Sequence, residues 1–246
     1  MTVAQAMRYS RHLMLPEMDF RGQEALLVAS VLVVGMGGLG CAVAPYLVAS
    51  GIGNLTLADD DMVDKTNLQR QILYTEADIG LAKAQQAVRR LQPLNTEIRL
   101  SALVQRLDAE QLQQQVAQYD LVLDCTDNLP TRQAINTACV QAKVPLVSGA
   151  AIRMEGQIAS FSMTGEHGCY HCLSQYFAEQ PLTCLEAGVL SPVVGVIGTM
   201  QALEAVKILS GVGTPLFGQL QLFNAATGQW RSFILPKDAA CPVCAG

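Results

Sequence analysis

Short apolar runs alternate with stretches of helical periodicity through the first part of the chain. Residues 31–34 are apolar and mostly β-branched, which predicts a strand, and an Ala/Val/Leu-rich stretch after them predicts a helix to Ser50. Residues 54–58 predict a second strand. Strands that alternate with helices indicate a largely parallel sheet with helices on both faces. We therefore expect a Rossmann-like α/β fold.

The pattern continues beyond this unit and then changes. Helices are predicted over 1–30, 80–92, 108–118 and from Pro130 onward, and strands over 97–104, 120–125, 144–148 and 158–163. Two further strands, 219–224 and 229–235, flank a turn and predict a hairpin, so antiparallel strands should continue the sheet. Because no linker, repeat or low-complexity tract interrupts the chain, we predict one domain over 1–246, with parts 1–30, 31–150 and 151–246.

A glycine-rich turn follows the first predicted strand. Gly35, Gly37, Gly38 and Gly40 precede the helix, and Asp59 ends the second strand about twenty residues later, where a nucleotide-binding βαβ unit has its ribose-contacting acid. Glycine allows the sharp turn and close approach to a phosphate, and the helix N-terminus adds free N–H groups. We therefore predict that this turn binds a nucleotide; the alternative is that its glycines serve packing alone. By itself the motif favours an NAD(P) or FAD dehydrogenase.

Polar side chains beyond Asp59 extend this hypothesis. The loop segment 66–71 carries Asn67, Gln69 and Arg70, which suit contacts to phosphate or ribose, although an ordinary surface loop has similar composition. Lys83 opens a predicted helix, where a cation is unfavourable unless an anion lies nearby.

The acid that follows the strand 120–125 is a candidate metal ligand. Asp127 and Asn128 lie at the carboxyl end of that strand, where doubly wound sheets bind ligands. Asp127 could hold Mg²⁺ or cap the helix that begins near Pro130, and Asn128 could share either role. Together with Asn67, Arg70 and Lys83, a metal-binding acid suits a triphosphate better than a dinucleotide.

Four of the eight cysteines form two CxxC pairs, Cys169 with Cys172 and Cys241 with Cys244. Two such pairs match a tetrahedral, structural Zn²⁺ site that would clip the C-terminus to the body of the protein. The alternatives are a redox-active CxxC and two unrelated pairs.

The other cysteines fall into two groups. Cys184 lies in a polar loop ahead of a helix, where its thiol could be exposed and its pKa lowered. Cys41, Cys125 and Cys139 lie in apolar segments, which favours an inert role in the core.

Composition narrows the classes of function. Half of the residues are hydrophobic and 15% are charged, which is typical of a globular protein, and a net charge of −5 gives no footprint for nucleic acid. The uncharged run 187–200 is short for a membrane span, and Gln201, Glu204 and Lys207 add a polar stripe, so we predict a buried helix. We find no secretory signal and expect a cytoplasmic protein.

Eight motifs, in order, carry a specific resemblance that covers essentially the whole chain: GMGGLG, LADDD, TNLQRQ, Lys83, DCTDN, GCYHCL, TCLEAGV and CPVC. With them the sequence resembles the MoeB/ThiF family, bacterial relatives of the ubiquitin-activating enzymes. The resemblance implies that ATP, not NAD, binds the βαβ unit. It also implies adenylation of the C-terminal glycine of a small ubiquitin-like sulfur-carrier protein, with release of pyrophosphate.

The resemblance also implies roles for individual residues. Arg11 would reach into the partner subunit's site, which makes a homodimer necessary, and Cys184 matches a loop cysteine that some members use covalently. The part 151–246 would bind the carrier and zinc, with Cys169, Cys172, Cys241 and Cys244 as the zinc ligands. Asp127 would hold Mg²⁺, and Arg11, Arg70, Lys83, Asp127 and Cys184 would be the catalytic set. The implied nucleotide contacts are Gly38, Asp59, Thr66, Asn67, Leu68, Gln69, Arg70, Lys83, Asp127 and Asn128.

Two branches of the family remain in view. SGAAIRMEGQI and TCLEAGV resemble the molybdopterin branch, whereas LADDD, RQILYTEADI and GQWRS resemble the thiamine branch; we favour the molybdopterin branch. No rhodanese-like extension is present, so a separate persulfide donor is expected. A non-catalytic scaffold would be expected to lack Arg70, Lys83 or Asp127, and a nicotinamide enzyme would need a hydride site that we do not find.

Overall fold

The structure is a computed structural model that describes residues 1–177 and 187–245. Eight strands form one sheet in the order β3-β2-β1-β4-β5-β6-β7-β8. Strands β3, β2, β1, β4 and β5 pair with one another in parallel, and the pairs β5–β6, β6–β7 and β7–β8 are antiparallel. The strands are β1 Ser30–Val34, β2 Asn54–Ala58, β3 Arg99–Leu103, β4 Leu121–Asp124, β5 Leu146–Ile152, β6 Glu155–Phe161, β7 Gln219–Asn224 and β8 Gln229–Ile234.

Helices cover both faces of this sheet. The helices of the described residues are α1 Val3–Arg8, α2 Ser10–Leu13, α3 Asp19–Val28, α4 Gly38–Ser50, α5 Lys83–Leu91, α6 Ala109–Val116, α7 Leu129–Ala142, α8 Tyr170–Ser174 and α9 Ser191–Ser210. Side chains of α3, α4, α5 and α9 share one core cluster, and those of α6, α7 and α8 share another. The predicted α/β fold, with antiparallel strands continuing the parallel part, is confirmed.

Strand β1 explains how one apolar run serves two cores. Val31 and Val33 belong to the cluster on one face, and Leu32 and Val34 to the cluster on the other. Successive side chains of a strand point to opposite faces, so an unbroken apolar run fits a strand that is covered on both sides.

The strand order reverses between β1 and β4, and this reversal locates the crevice of the fold. Val34, the last residue of β1, is opposite both Ala58 of β2 and Asp124 of β4. The carboxyl ends of the three strands are therefore level. In doubly wound sheets the crevice at such a reversal is where ligands bind.

Strands β5 and β6 differ from the prediction. We predicted strands over 144–148 and 158–163, but β5 extends to Ile152 and β6 begins at Glu155. The two residues between them turn tightly, with Arg153 in the left-handed region at φ +53°. The small residues at the end of β5 carry no apolar pattern, and pairing with β6 makes them a strand. Strand β5 thus crosses the boundary that we drew at residue 150.

By length and composition, α9 is the one helix of the described residues that could cross a membrane. In the structure it packs against α4 and β5. Gln201 donates a hydrogen bond to the Asp124 carbonyl (2.8 Å), and buried Glu204 accepts one from Ser160 (2.9 Å). These polar groups are paired inside the protein, as expected for the predicted core helix.

Candidate active site

A cleft of about 1200 Å³ opens at the carboxyl ends of β1, β2 and β4 and continues over the face of β5, β6 and β7. It brings together residues that are far apart in the sequence. Of the predicted nucleotide contacts, those that line it are Gly38, Asp59, Asn67, Arg70, Lys83, Asp127 and Asn128.

The glycine turn forms one wall of the cleft. Gly35 has φ +95°, and a Cβ there would lie 2.8 Å from the Cys125 carbonyl oxygen; a Cβ on Gly40 would lie 2.1 Å from the Gly35 oxygen. Neither position accepts another residue without rearrangement. Helix α4 begins at Gly38, and no side chain of the described residues caps its first turn. Its N–H groups are thus available to an anion.

Asp59 stands at the end of β2 beside this turn. Its carboxylate accepts hydrogen bonds from the backbone N–H of Met36 (2.7 Å) and of Asp61 (2.8 Å). Burial raises the pKa of Asp59 above its ordinary value, although Lys83 and the two N–H groups oppose the shift. The side chain is held in one orientation at the rim of the cleft, as a ribose contact requires.

Lys83 is buried at the start of α5, and the anion expected beside it is Asp61. The ammonium lies 2.7 Å from the Asp61 carboxylate, whose own side chain is largely exposed. The hydroxyl of buried Tyr74 is within hydrogen-bond distance of the carbonyls of Met36 (2.9 Å) and Lys83 (3.2 Å). Tyr74 therefore ties the glycine turn to the first turn of α5.

The segment TNLQRQ divides between the cleft and its support. Asn67 and Arg70 line the cleft, whereas Thr66, Leu68 and Gln69 lie outside its lining among the described residues. Thr66 bonds Asp64 (2.6 Å), Leu68 packs on the core, and Gln69 accepts a hydrogen bond from Ser191 (2.6 Å). Thr66, Leu68 and Gln69 thus hold the loop in place.

The loop after β4 settles the capping question for α7. The N-cap is Asn128, whose side chain accepts a hydrogen bond from the Thr131 N–H (3.0 Å). The alternative that Asp127 caps this helix is therefore wrong. Asp127 is exposed in the cleft and forms no hydrogen bond or ion pair within the described part of the chain. A carboxylate with free oxygens fits a hard cation such as Mg²⁺.

One predicted catalytic residue, Arg11, does not meet the others within one chain. Arg11 is exposed on α2, and its guanidinium contacts the Met14 sulfur at 3.6 Å, away from the cleft lining. Cys184 lies outside the described residues. The predicted burial of Cys41, Cys125 and Cys139 is confirmed, and burial raises the pKa of the Cys41 thiol to about 12.

The structure adds cleft residues that our sequence analysis did not single out. They include Asp61, Arg106, Arg132 and Gln71, the last residue of TNLQRQ. Gln71 is buried, and its Oε1 has no hydrogen-bond partner among the described residues. Such an unsatisfied oxygen in a cleft fits a polar ligand. For Gln71, its place in the motif was a usable sequence signal; for Arg132, buried in a helix, there was none.

The two CxxC pairs meet in space. The four sulfur atoms of Cys169, Cys172, Cys241 and Cys244 are buried and lie within 4.8 Å of one another. Cys169 and Cys241 sulfurs are 3.9 Å apart, and those of Cys172 and Cys244 are 3.6 Å apart. A zinc–sulfur distance of about 2.3 Å implies sulfurs roughly 3.8 Å apart in a tetrahedron. The cluster fits Zn²⁺, and the interpretation as two unrelated pairs is wrong.

Comparison with known families agrees with this arrangement. Residues 9–243 match the ThiF family. The chain belongs to the ThiF family. Within it, the chain is 49% identical to the molybdopterin-synthase adenylyltransferase of Escherichia coli K12 over 97% of this chain and 96% of the relative. It is also 50% identical to the sulfur carrier protein ThiS adenylyltransferase of the same strain, over 98% and 95%.

A solved structure supports the fold assignment. The crystal structure of E. coli MccB with AMPCPP and MccA is similar with a TM-score of 0.85 at 25% identity, over 97% of this chain and 74% of that one. As a ThiF-family member with such relatives, the protein is an adenylyltransferase. This finding decides against the nicotinamide or flavin enzyme that the glycine turn alone favoured.

The size of the cleft matters for a ThiF-family enzyme. Small-molecule pockets occupy about 300–1,000 Å³, and this cleft is larger. The predicted nucleotide contacts lie at its strand-end side, while Gln157, Leu222 and Arg231 line its other side on the antiparallel strands. The cleft therefore has room for a second reactant beside a nucleotide.

Proposed function

We propose that this chain catalyses ATP-dependent adenylation of the C-terminal glycine of a small ubiquitin-like sulfur-carrier protein. The observation that carries the proposal is the cleft itself, where Asp59, Asn67, Arg70, Lys83 and Asp127 converge beside a free helix N-terminus. The names of the adenylyltransferase relatives support the carrier as substrate.

Different residues of the cleft contact different parts of ATP. The Asp59 carboxylate accepts hydrogen bonds from the ribose hydroxyls, and the backbone at Gly38 lies against the phosphates. Asn67, Arg70 and Lys83 contact the triphosphate, and Lys83 exchanges its contact with Asp61 for phosphate oxygens. Thr66, Leu68, Gln69 and Asn128 contribute by fixing the backbone around these side chains, as their hydrogen bonds and packing suggest.

The reaction depends on aligning the carrier's carboxylate with the α-phosphate of ATP more than on proton transfer. An oxygen of the carrier's terminal carboxylate attacks the α-phosphorus of ATP and forms a bond to it. The bond between the α-phosphorus and the oxygen that bridges to the β-phosphate breaks. Pyrophosphate leaves with the electron pair, and the product is an acyl-adenylate. Because a carboxylate is already a nucleophile, no general base is needed, and Arg70 and Lys83 neutralise charge on the departing pyrophosphate.

Two metals belong to the proposal. Asp127 would hold Mg²⁺, which supplies charge neutralisation at the phosphates. Cys169, Cys172, Cys241 and Cys244 would hold a structural Zn²⁺, which fixes the C-terminal segment against the body of the protein.

We further propose that the active form is a homodimer. Arg11 lies outside the cleft of its own chain, and Met7, Met14 and Phe20 near it are largely exposed apolar side chains. An exposed apolar surface around a cation suits contact with a second copy, whose site Arg11 would enter. Cys184 would take part in the later transfer of sulfur to the carrier. A separate persulfide donor would supply that sulfur, and the reaction would take place in the cytoplasm.

Of the two branches, we propose the molybdopterin-type carrier as substrate. The stretch SGAAIRMEGQI forms the end of β5, the turn after it and the start of β6, and Glu155, Gly156 and Gln157 from it line the cleft. Residues beside the carrier's tail would indicate which carrier the enzyme takes. The thiamine-type carrier is the alternative, since the two E. coli relatives are equally similar.

The deciding experiment is carrier-dependent exchange of labelled pyrophosphate into ATP, with a molybdopterin-type and a thiamine-type carrier side by side. An Arg70→Ala variant is the negative control. Exchange with the first carrier alone supports the full proposal, and exchange with the second alone replaces the carrier. If neither carrier supports exchange, adenylation of these carriers is refuted and a non-catalytic nucleotide-binding scaffold becomes the better explanation.

A further inference from the structure

At the cleft wall, a buried guanidinium joins the loop after β4 to the middle of the neighbouring strand β5. Arg132 lies in the second turn of α7 and is 6% exposed. Its Nη2 donates one hydrogen bond to the Thr126 carbonyl, in the loop after β4, and another to the Gly149 carbonyl of β5 at 2.9 Å. The side chain thus connects α7, β5 and the loop that leads to Asp127.

A buried carboxylate holds the same loop from the other side. Asp124 accepts hydrogen bonds from the Thr126 N–H (3.0 Å), the Thr126 hydroxyl (2.7 Å) and the Ser148 hydroxyl (2.8 Å). It also lies 4.0 Å from Arg132 Nη1 and balances its charge. Every backbone and side-chain polar group of Thr126 is therefore bonded to one member of this pair.

The groups of Arg132 are committed to this network. A guanidinium nitrogen of the Nη type carries two N–H donors, and both donors of Nη2 go to backbone carbonyls. Nη1 faces Asp124, and the flat group lies 6.0 Å from the ring centre of Tyr170. The two Nη2 donors are consequently not available to a phosphate, although Arg132 borders the cleft.

Asp127 depends on this arrangement because it has no support of its own. It follows Thr126 directly in the chain, and it forms no hydrogen bond or ion pair within the described part of the structure. Its carboxylate is therefore placed through its backbone, which Arg132 and Asp124 fix on one side and the Asn128 cap fixes on the other, and its charge interacts with that of Arg132.

We propose that Arg132 is a positioning residue that fixes the Thr126 peptide and thereby orients Asp127 toward the divalent cation that accompanies ATP. This inference rests on the proposed function, because it takes Asp127 as the ligand of that cation. It adds a residue that acts through hydrogen bonds to the backbone and touches neither nucleotide nor metal.

The test measures metal binding and needs no carrier. Mn²⁺–ATP, a paramagnetic substitute for Mg²⁺–ATP, is titrated with the full chain, and the water-proton relaxation rate distinguishes the protein-bound complex from Mn²⁺–ATP in solution. Arg132→Gln keeps a polar side chain but loses the fork of donors, so the ATP-dependent Mn²⁺ affinity should fall about tenfold or more, as is usual for residues that orient metal ligands. ATP affinity without metal should change little.

Ser148→Ala is the matched control. It removes a hydrogen bond to the same Asp124 but leaves all three hydrogen bonds of Thr126, so it should lower the unfolding temperature without weakening Mn²⁺ binding. If Arg132→Gln does not fold, Arg132→Lys is measured in its place; a lysine keeps the charge but cannot reproduce the fork, and a similar loss is expected.

The outcomes separate this inference from the proposed function. Unchanged Mn²⁺ affinity in the folded Arg132 variant, with normal binding in the wild type, overturns the positioning role alone. Equal losses in the Arg132 and Ser148 variants overturn it as well, since they mean general loosening. Absence of ATP-dependent Mn²⁺ binding in the wild type removes both the positioning role and the metal site that it serves.

Discussion

A lysine at the first position of a helix illustrates how single residues define the cleft. Lys83 faces the positive end of the α5 dipole and is buried, and both conditions disfavour a cation. Asp61 offsets them with an ion pair at 2.7 Å. The unfavourable location indicates a lysine kept for its charge, and a triphosphate would be its second partner.

The neighbouring residues Asp127 and Asn128 give the sharpest prediction at this scale. Asp127→Ala should lower the pyrophosphate-exchange rate at least a hundredfold, because the cation loses its ligand. The unfolding temperature of the protein should change little, because the Asp127 side chain forms no hydrogen bond or ion pair within the described residues. Asn128→Ala should cost about 1 kcal/mol of unfolding free energy, since it removes the N-cap of α7. Exchange assays and urea unfolding on both variants check this. Near-normal turnover of Asp127→Ala would refute the metal role.

At the scale of elements, the connection between β2 and α5 is pinned by a buried carboxylate. Asp78 accepts hydrogen bonds from the Thr75 N–H (2.8 Å) and from Arg90 of α5 (2.6 Å). Burial would raise the pKa of Asp78, but the Thr75 and Arg90 contacts bring it below its ordinary value. The contact fixes the segment that delivers Lys83 to the cleft.

This lowered pKa predicts a pH dependence with a defined sign. The stabilisation by ionised Asp78 is complete above its unfolded-state pKa of about 3.9 and is lost as the pH falls through the lower, folded-state value. Asp78→Asn should therefore lower the unfolding free energy by about 1.5–3 kcal/mol at pH 7. In urea titrations from pH 7 to pH 3 the gap to the wild type should narrow. A gap that stays constant, or an equal effect of the exposed control Glu17→Gln, would contradict the assignment.

Helix α7 joins two sites that look separate in the sequence. Its first turn carries the Asn128 cap beside Asp127, and farther along Asn136 donates a hydrogen bond to the Cys169 sulfur (3.4 Å) and accepts one from the Tyr170 N–H (2.8 Å). One helix thus contacts both the nucleotide side of the cleft and the cysteine cluster.

At the scale of the whole molecule, the cysteine cluster joins the C-terminal segment to the region after β6. We expect metal analysis to find one zinc ion per chain, and Cys241→Ser should abolish it and lower the unfolding temperature, because metal-binding energy becomes folding energy. Cys139→Ala, which changes a buried thiol outside the cluster, should keep the zinc. A fully stable, metal-free wild-type protein would disprove the site.

The proposed dimer gives a second prediction at this scale. Arg11→Ala and Arg70→Ala should each abolish exchange, and co-refolding equal amounts should restore about a quarter of the wild-type rate. Half of the dimers are then mixed, and each has one complete site. Mass spectrometry confirms mixed dimers. Their presence without recovered activity would mean that Arg11 does not act across the interface.

The sequence by itself determined the elements and much of the chemistry. Strand β2 has the predicted bounds, and Gly35 and Gly40 occur where no side chain fits, because backbone geometry is a local property that residue patterns record. The CxxC pairs and the TNLQRQ motif likewise identified the cysteine cluster and the cleft loop.

Tertiary structure decided how these pieces combine. Only the strand order, with β1 beside β4, brings Asp59 and Asp127 to one crevice. Only packing revealed Asp61 as the partner of Lys83 and committed Arg132 to the Thr126 and Gly149 carbonyls. Such contacts join residues distant in the chain, and their energies depend on burial and orientation, which a local pattern of polar and apolar residues does not encode.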